Sequence, residues 1–263
     1  MNESFLSFLR TLIISITIFL ALFNLTSDKS YAKDKLSEYK SLQEQTVLIS
    51  NSSTIFPFGC ENERESGRCE DKVGKLPPLN FSLTGTGTFV NFKDKISVLT
   101  VAHVCKEHAI PKFVELGLTK VFLSVKTTIT LSSKNYTGEA NIEKIDKEND
   151  LCILSFDNEK ILQKIEIPKI AEVAPERGTK IKYAGAPHGM MSNDFMLTYE
   201  GTYAGVGEGS HILAIPCTGG TSGSSVRNED FEVFSVIKQV HAKFENVCFG
   251  VNIEDIRKFL EIY

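Results

Sequence analysis

Thr86-Gly87-Thr88-Phe89-Val90-Asn91-Phe92-Lys93-Asp94-Lys95-Ile96-Ser97-Val98-Leu99-Thr100-Val101-Ala102-His103 is the stretch from which the fold can be read. Two short runs rich in Val, Ile, Phe and Thr, Thr86 to Phe92 and Ile96 to Ala102, flank Lys93-Asp94-Lys95, the pattern of a β-hairpin. The same texture starts at Leu83 and continues through Val121 to Leu131 and Leu151 to Phe156. After a linker near 157–175 it resumes at Lys180 to Gly185, Met196 to Tyr203, Ile212 to Ile215, Val233 to Val240 and Cys248 to Val251. Two successive groups of strands with no long helical pattern between them make the expected fold all-β, with one small barrel over about 83–158 and a second over about 176–251. At the end, Asn252 is placed to cap a helix that carries Glu254 and Asp255 in its first turn and Ile253, Ile256, Phe259 and Leu260 on one face.

Before Leu83 the texture differs. Residues 33–82 are polar, with Cys60 and Cys69 flanking the charged stretch Glu61 to Arg68, and they read as an irregular N-terminal extension with a short disulfide loop. Residues 1–32 have the anatomy of an export signal: Arg10 precedes an uncharged run from Thr11 to Thr26, and Ser30-Tyr31-Ala32 offers small residues for a peptidase. The run is shorter than the roughly 20 residues that span a bilayer comfortably, so the readings are a cleaved signal, a signal anchor or a buried helix. The first two, which are favoured, put the remaining chain outside the cytoplasm, secreted or periplasmic, with a membrane involved only through an uncleaved N-terminal segment. Six cysteines suit that oxidising setting, and the absence of a Cys-x-x-Cys pair argues against zinc, so no metal or cofactor is expected. The net charge of -4 and the lack of a dense Lys/Arg block leave no electrostatic footprint for nucleic acid.

Three segments carry chemistry. Thr218-Gly219-Gly220-Thr221-Ser222-Gly223-Ser224-Ser225 puts a serine in a glycine-flanked loop whose backbone N–H groups can turn toward one point. In an acyl transfer Ser222 Oγ would attack a carbonyl while the N–H groups of Gly220 and Ser222 receive the developing oxyanion. Leu99-Thr100-Val101-Ala102-His103 holds a histidine at the end of an apolar strand, where it can serve as general base. Asn149-Asp150-Leu151-Cys152-Ile153-Leu154 opens a buried strand with a carboxylate that can orient the imidazole, with Asp146 and Asp157 close by in sequence. Each candidate sits in the local context that its role needs, and they follow one another as His, Asp, Ser.

Together these segments resemble the chymotrypsin-fold serine peptidases, and within them the bacterial glutamyl endopeptidase-like branch. The resemblance is carried by Thr-Gly-Thr-Phe-Val from Thr86, Leu-Thr-Val-Ala-His from Leu99, Asp-Leu-Cys-Ile-Leu from Asp150 and Thr-Gly-Gly-Thr-Ser-Gly-Ser from Thr218. Tyr183-Ala184-Gly185-Ala186-Pro187 and Gly250-Val251-Asn252 support it, and it covers roughly residues 83–263. It implies two six-stranded antiparallel β-barrels with a C-terminal helix, a His103–Asp150–Ser222 triad in the cleft between them, and hydrolysis of a peptide or protein substrate through an acyl-enzyme. The alternative is an inactive homologue that keeps the fold as a binding protein.

The departures from that family are informative. Thr221 stands where trypsin-like zymogens carry an aspartate, so their N-terminal activation is not expected. Cys217 and Cys248 resemble a family disulfide that braces the specificity pocket. Cys105 follows His103 by two residues and lacks the usual upstream partner, leaving Cys152 as a substitute or both as buried thiols. The resemblance places the substrate pocket at Pro216, Cys217, Thr218, Val236, Ile237, Lys238 and Gly250, with Gly250 leaving it open. No acidic residue falls at its base, which gives no support for a Lys or Arg preference. Where glutamate-specific relatives carry a wall histidine this chain has Ile237, and Lys238 and His241 read equally as attractors of an acidic side chain or as exposed polar residues.

Overall fold

The computed structural model describes residues 35–57, 79–106, 122–134, 136–157, 165–192 and 195–262. The export segment and the Cys60–Cys69 loop lie outside the described residues. Two compact units are distinguished, Met1–Ser41, of which 35–41 are helical, and Leu42–Tyr263, which contains both barrels.

The first barrel comprises β1 (Thr46–Pro57), β2 (Leu79–Phe92), β3 (Lys95–Thr100), β4 (Phe122–Ser133), β5 (Tyr136–Asp146) and β6 (Leu151–Phe156). It closes in the order β1-β2-β3-β6-β5-β4. The second comprises β7 (Lys180–Gly185), β8 (Leu197–Gly207), β9 (Ser210–Ala214), β10 (Ser225–Arg227), β11 (Val233–His241) and β12 (Phe244–Gly250). It closes as β10-β11-β12-β9-β8-β7, so each strand of the first barrel has a counterpart six strands later. Helix α1 (Ala102–Cys105) follows β3, and α2 (Ile253–Phe259) ends the chain. The two six-stranded antiparallel barrels and the terminal helix are as expected.

The hairpin read from the opening stretch is present with Phe92 opposite Lys95, and Lys93 and Asp94 both take positive φ (50° and 60°). That is the conformation in which a two-residue turn matches the twist of the strands it joins. Inward-facing Val47, Ile49, Phe89, Val98, Leu131 and Leu154 are fully buried, each contributing on the order of 1.5–3 kcal/mol.

Four expectations are corrected. β1 falls inside the stretch taken as an irregular extension, and it closes the first barrel by pairing with both β2 and β4. Its polar Asn51 and Ser53 are buried because their side chains are hydrogen-bonded, Asn51 Nδ2 to the carbonyls of Val104 and Lys106 and Ser53 Oγ with Thr127 Oγ1. Strands β5 and β10 were absent from the sequence reading. The run to Ala102 stops as a strand at Thr100, so His103 lies in the single turn of α1. Asn252 precedes α2 but caps it only through its backbone, its Nδ2 donating instead to Gly209 O.

Two disulfides join described residues, Cys105–Cys152 and Cys217–Cys248. They close segments of 47 and 31 residues, worth about 4 kcal/mol each if the entropy of the unfolded chain is what they restrict.

Candidate active site

Asp150 engages His103 twice. Its Oδ1 accepts the backbone N–H of His103 at 2.9 Å and its Oδ2 lies 2.7 Å from the ring Nδ1. An ionised carboxylate only accepts, so in this contact it is Nδ1 that donates. The side chains are 36% and 25% exposed, open to solvent at one edge. Asp150 sits at φ 57°, a left-handed conformation that aspartate tolerates better than most residues. The turn before it is organised by Asp146, whose carboxylate accepts the N–H groups of Glu148 and Asn149 and the Asn149 amide. Burial works to raise the Asp146 pKa, but those hydrogen bonds outweigh it and hold the group below its ordinary value. Asp146 therefore shapes the turn, and Asp150 holds the imidazole.

The loop carrying Ser222 belongs to the second barrel but is fastened to the first by threonines. Thr86 and Thr88 share a face of β2, as residues two apart on a strand must. Thr86 N–H donates to Ser222 O at 2.8 Å, Thr86 Oγ1 donates to Gly220 O at 2.8 Å, and Thr88 Oγ1 donates to Ser225 Oγ at 2.6 Å. Thr100, three residues before His103, donates from Oγ1 to Thr86 O at 2.7 Å. Gly223 has φ 90°, and a Cβ there would run into Thr86 O and Thr100 Oγ1. Only glycine lets the loop lie this close to the strand.

Inside the loop the N–H groups divide into two sets. Those of Thr221, Gly223 and Ser224 donate to Thr218 O, Ile237 O and Thr221 O. Those of Gly219, Gly220 and Ser222 have no acceptor among the described residues. The half-buried Ser222 likewise has no hydrogen bond from its Oγ, and none joins it to His103 in this structure. Its backbone is tied to Thr86, while its hydroxyl is uncommitted.

The remaining expected site residues fall as follows. Pro216 is exposed and its carbonyl accepts the Tyr183 hydroxyl at 2.6 Å, while Cys217 is buried in its disulfide. Thr218 is half-buried beside the loop. Val236 and Ile237 have fully buried side chains and meet their neighbours through the backbone, Ile237 O receiving Gly223 N–H and Val236 O receiving Val251 N–H. Lys238 is half-buried on β11, and His241 packs on the rings of Phe244 and Phe249. The space above Gly250, expected to leave the pocket open, is taken by Ser235 Oγ, which donates to Val251 O.

Two histidines were missed. His188, at φ 51° in the 3₁₀ turn Pro187–Gly189, donates its N–H to Gly219 O at 2.8 Å and places Nε2 3.3 Å from Thr218 Oγ1. No sequence signal marked it beyond its place after the Tyr183–Pro187 run. His211 on β9 is buried against Tyr203 and Phe234, with Nδ1 unpartnered. Burial depresses its pKa to about 4, against the pull of Glu254 and with the help of Lys238. Among the described residues no group of three His, Cys, Asp or Glu side chains could hold a metal ion, and no helix is long and apolar enough to cross a membrane.

No protein-family model matches the chain, and no curated protein matches it by sequence. Solved structures do. The Rv3671c protease from M. tuberculosis, in its active form, superimposes with a TM-score of 0.56 at 14% identity, covering 85% of this chain and 82% of that one. The serine endoprotease from Yersinia pestis gives 0.56 at 16% identity, covering 85% of this chain and 64% of that one, so this chain spans less than two thirds of its length. The likeness establishes a chymotrypsin-like two-barrel fold.

Proposed function

We propose that this chain is an exported serine endopeptidase, nearest in its motifs to the glutamyl endopeptidase-like branch, that cleaves peptide or protein substrates through an acyl-enzyme. The observation that carries the reading is the double engagement of His103 by Asp150, together with a loop in which the Ser222 hydroxyl and the Gly220 and Ser222 N–H groups carry no hydrogen bond. Ser222 Oγ attacks the scissile carbonyl as His103 Nε2 takes its proton. Asp150 keeps the proton on Nδ1 and stabilises the imidazolium that forms. The N–H groups of Gly220 and Ser222 receive the oxyanion, and His103 then protonates the leaving amine. Water, deprotonated by the same imidazole, releases the acyl group and regenerates Ser222.

The two disulfides are compatible with a location outside the cytoplasm. One observation favours the second reading, an inactive homologue that binds a partner: Ser222 Oγ and His103 are not hydrogen-bonded in this structure. Such bonds often tighten only when substrate arrives. The test is digestion of an unfolded protein substrate by the full chain, with cleavage sites read by mass spectrometry, beside Ser222→Ala. Cleavage that the substitution removes, on the order of 10⁶-fold in kcat, supports the peptidase, whereas equal fragment patterns or none from either protein favour the binding protein.

A further inference from the structure

We propose that the Cys105–Cys152 disulfide is a positioning device for the His103–Asp150 pair, holding the imidazole on its carboxylate, rather than a staple for the barrel as a whole. The inference rests on the peptidase reading for its kinetic consequence, but not for its geometry.

The last rung of the β3–β6 ladder is Thr100 opposite Cys152. His103 lies three residues past that rung after β3, and Asp150 two residues before it ahead of β6, so the β3–β6 ladder holds neither residue. The bridge begins at the rung itself. Cys152 reaches back to Cys105, two residues beyond His103, and folds α1 over the start of β6. The path His103–Val104–Cys105 then meets Cys152–Leu151–Asp150 covalently, and the Nδ1 to Oδ2 hydrogen bond closes the ring. Without the sulfur link, the hydrogen bonds from His103 to Asp150 are the polar ties left between α1 and the start of β6.

The rest of α1 has its own support. Asn51 Nδ2 on β1 holds the carbonyls of Val104 and Lys106, and Val104 packs against Gly85 on β2. Loss of the bridge should therefore leave α1 attached to β1 and β2 and the barrel closed, while freeing it relative to β6. The expected damage is to the pair.

The experiment compares the full chain with Cys105→Ala/Cys152→Ala by far-ultraviolet circular dichroism, turnover of a peptide substrate, and the NMR signal of the hydrogen-bonded His103 Nδ1 proton. The expected result is a folded protein whose Nδ1 proton signal is lost and whose kcat falls ~10- to 100-fold, as for a small misplacement of a reacting group. KM should stay within about twofold, because substrate binding is untouched. A folded variant that keeps the signal and a kcat near that of the parent overturns the proposal. Should the double variant not fold, a chain with alanine at Cys60, Cys69, Cys217 and Cys248 is refolded with and without dithiothreitol. The dithiol supplies the two electrons and two protons that convert the bridge to thiols and is itself oxidised to a disulfide, with no side chain at 105 or 152 changed. Loss of the signal in a folded reduced form supports the proposal, and failure of that form to fold contradicts it by making the bridge a staple. Absence of turnover in the parent chain counts against the peptidase reading, while the Nδ1 signal still decides the positioning claim.

Discussion

The two barrels share one strand order and differ in what they leave unfinished around the candidate site. The first supplies His103 and Asp150 with the imidazole Nδ1, the backbone N–H and both carboxylate oxygens engaged, and with a disulfide immediately behind them. The second supplies a loop that is held at its carbonyls by Thr86 and left open at the Gly220 and Ser222 N–H groups and the Ser222 hydroxyl. The contrast is what acyl transfer asks for, since a base must be oriented before substrate arrives whereas oxyanion donors must be preorganised and empty. Under the proposed acyl transfer, one shared topology serves two opposite requirements, groups engaged on one side and groups left open on the other.

The comparison breaks most sharply at the first barrel. Asp150→Asn keeps the shape but lets the imidazole adopt the wrong tautomer, and kcat should drop ~10⁴-fold with little change in thermal stability; near-normal turnover would remove Asp150 from the mechanism. On the other side, Gly223→Ala forces a Cβ toward Thr86 O at φ 90° and should cost ~3 kcal/mol or more, visible as a lowered melting temperature and a displaced loop. A milder lesion, Thr86→Val, orphans Gly220 O and the Ala186 N–H that Thr86 Oγ1 accepts, for about 2–3 kcal/mol in denaturant titration. The smallest effect concerns pH and sharpens the difference between the two histidine environments. His211 has a folded pKa of about 4, below its ordinary 6.5, so the unfolded chain takes up a proton before the folded one does. Its contribution to stability is therefore full above pH 6.5 and lost progressively as pH falls toward 4. His211→Phe should flatten the denaturation midpoint over that window, and an unchanged slope would assign the acid sensitivity elsewhere.

What could be read from the sequence followed its apolar pattern and its motifs. The hairpin at Lys93–Asp94 and the run Lys180 to Gly185 were legible from side-chain alternation and turn residues, and the terminal helix from its first-turn acids and single apolar face. β1 was not, since Asn51 and Ser53 are polar residues buried by hydrogen bonding, and periodicity counts them as surface. β5 was missed because Ala140 is the one buried residue along it, and β10 is only three residues long. The candidate triad stood out through local context, but the threonines that join the barrels looked like ordinary strand formers. Cys152 was legible only as one partner for Cys105, because the register placing it opposite Thr100 is not written in spacing. His188 lay just beyond a recognised run and depends on a left-handed turn that no residue type signals.

The central claim is that Ser222 is an activated nucleophile beside a prepared base. Incubation of the full chain with a fluorophosphonate probe, followed by mass-spectrometric mapping of the adduct, tests it most directly. The account predicts a single adduct on Ser222 that disappears in Ser222→Ala and is strongly slowed in His103→Ala. Well-folded protein that takes up no probe, or takes it up equally in the three chains, would contradict it.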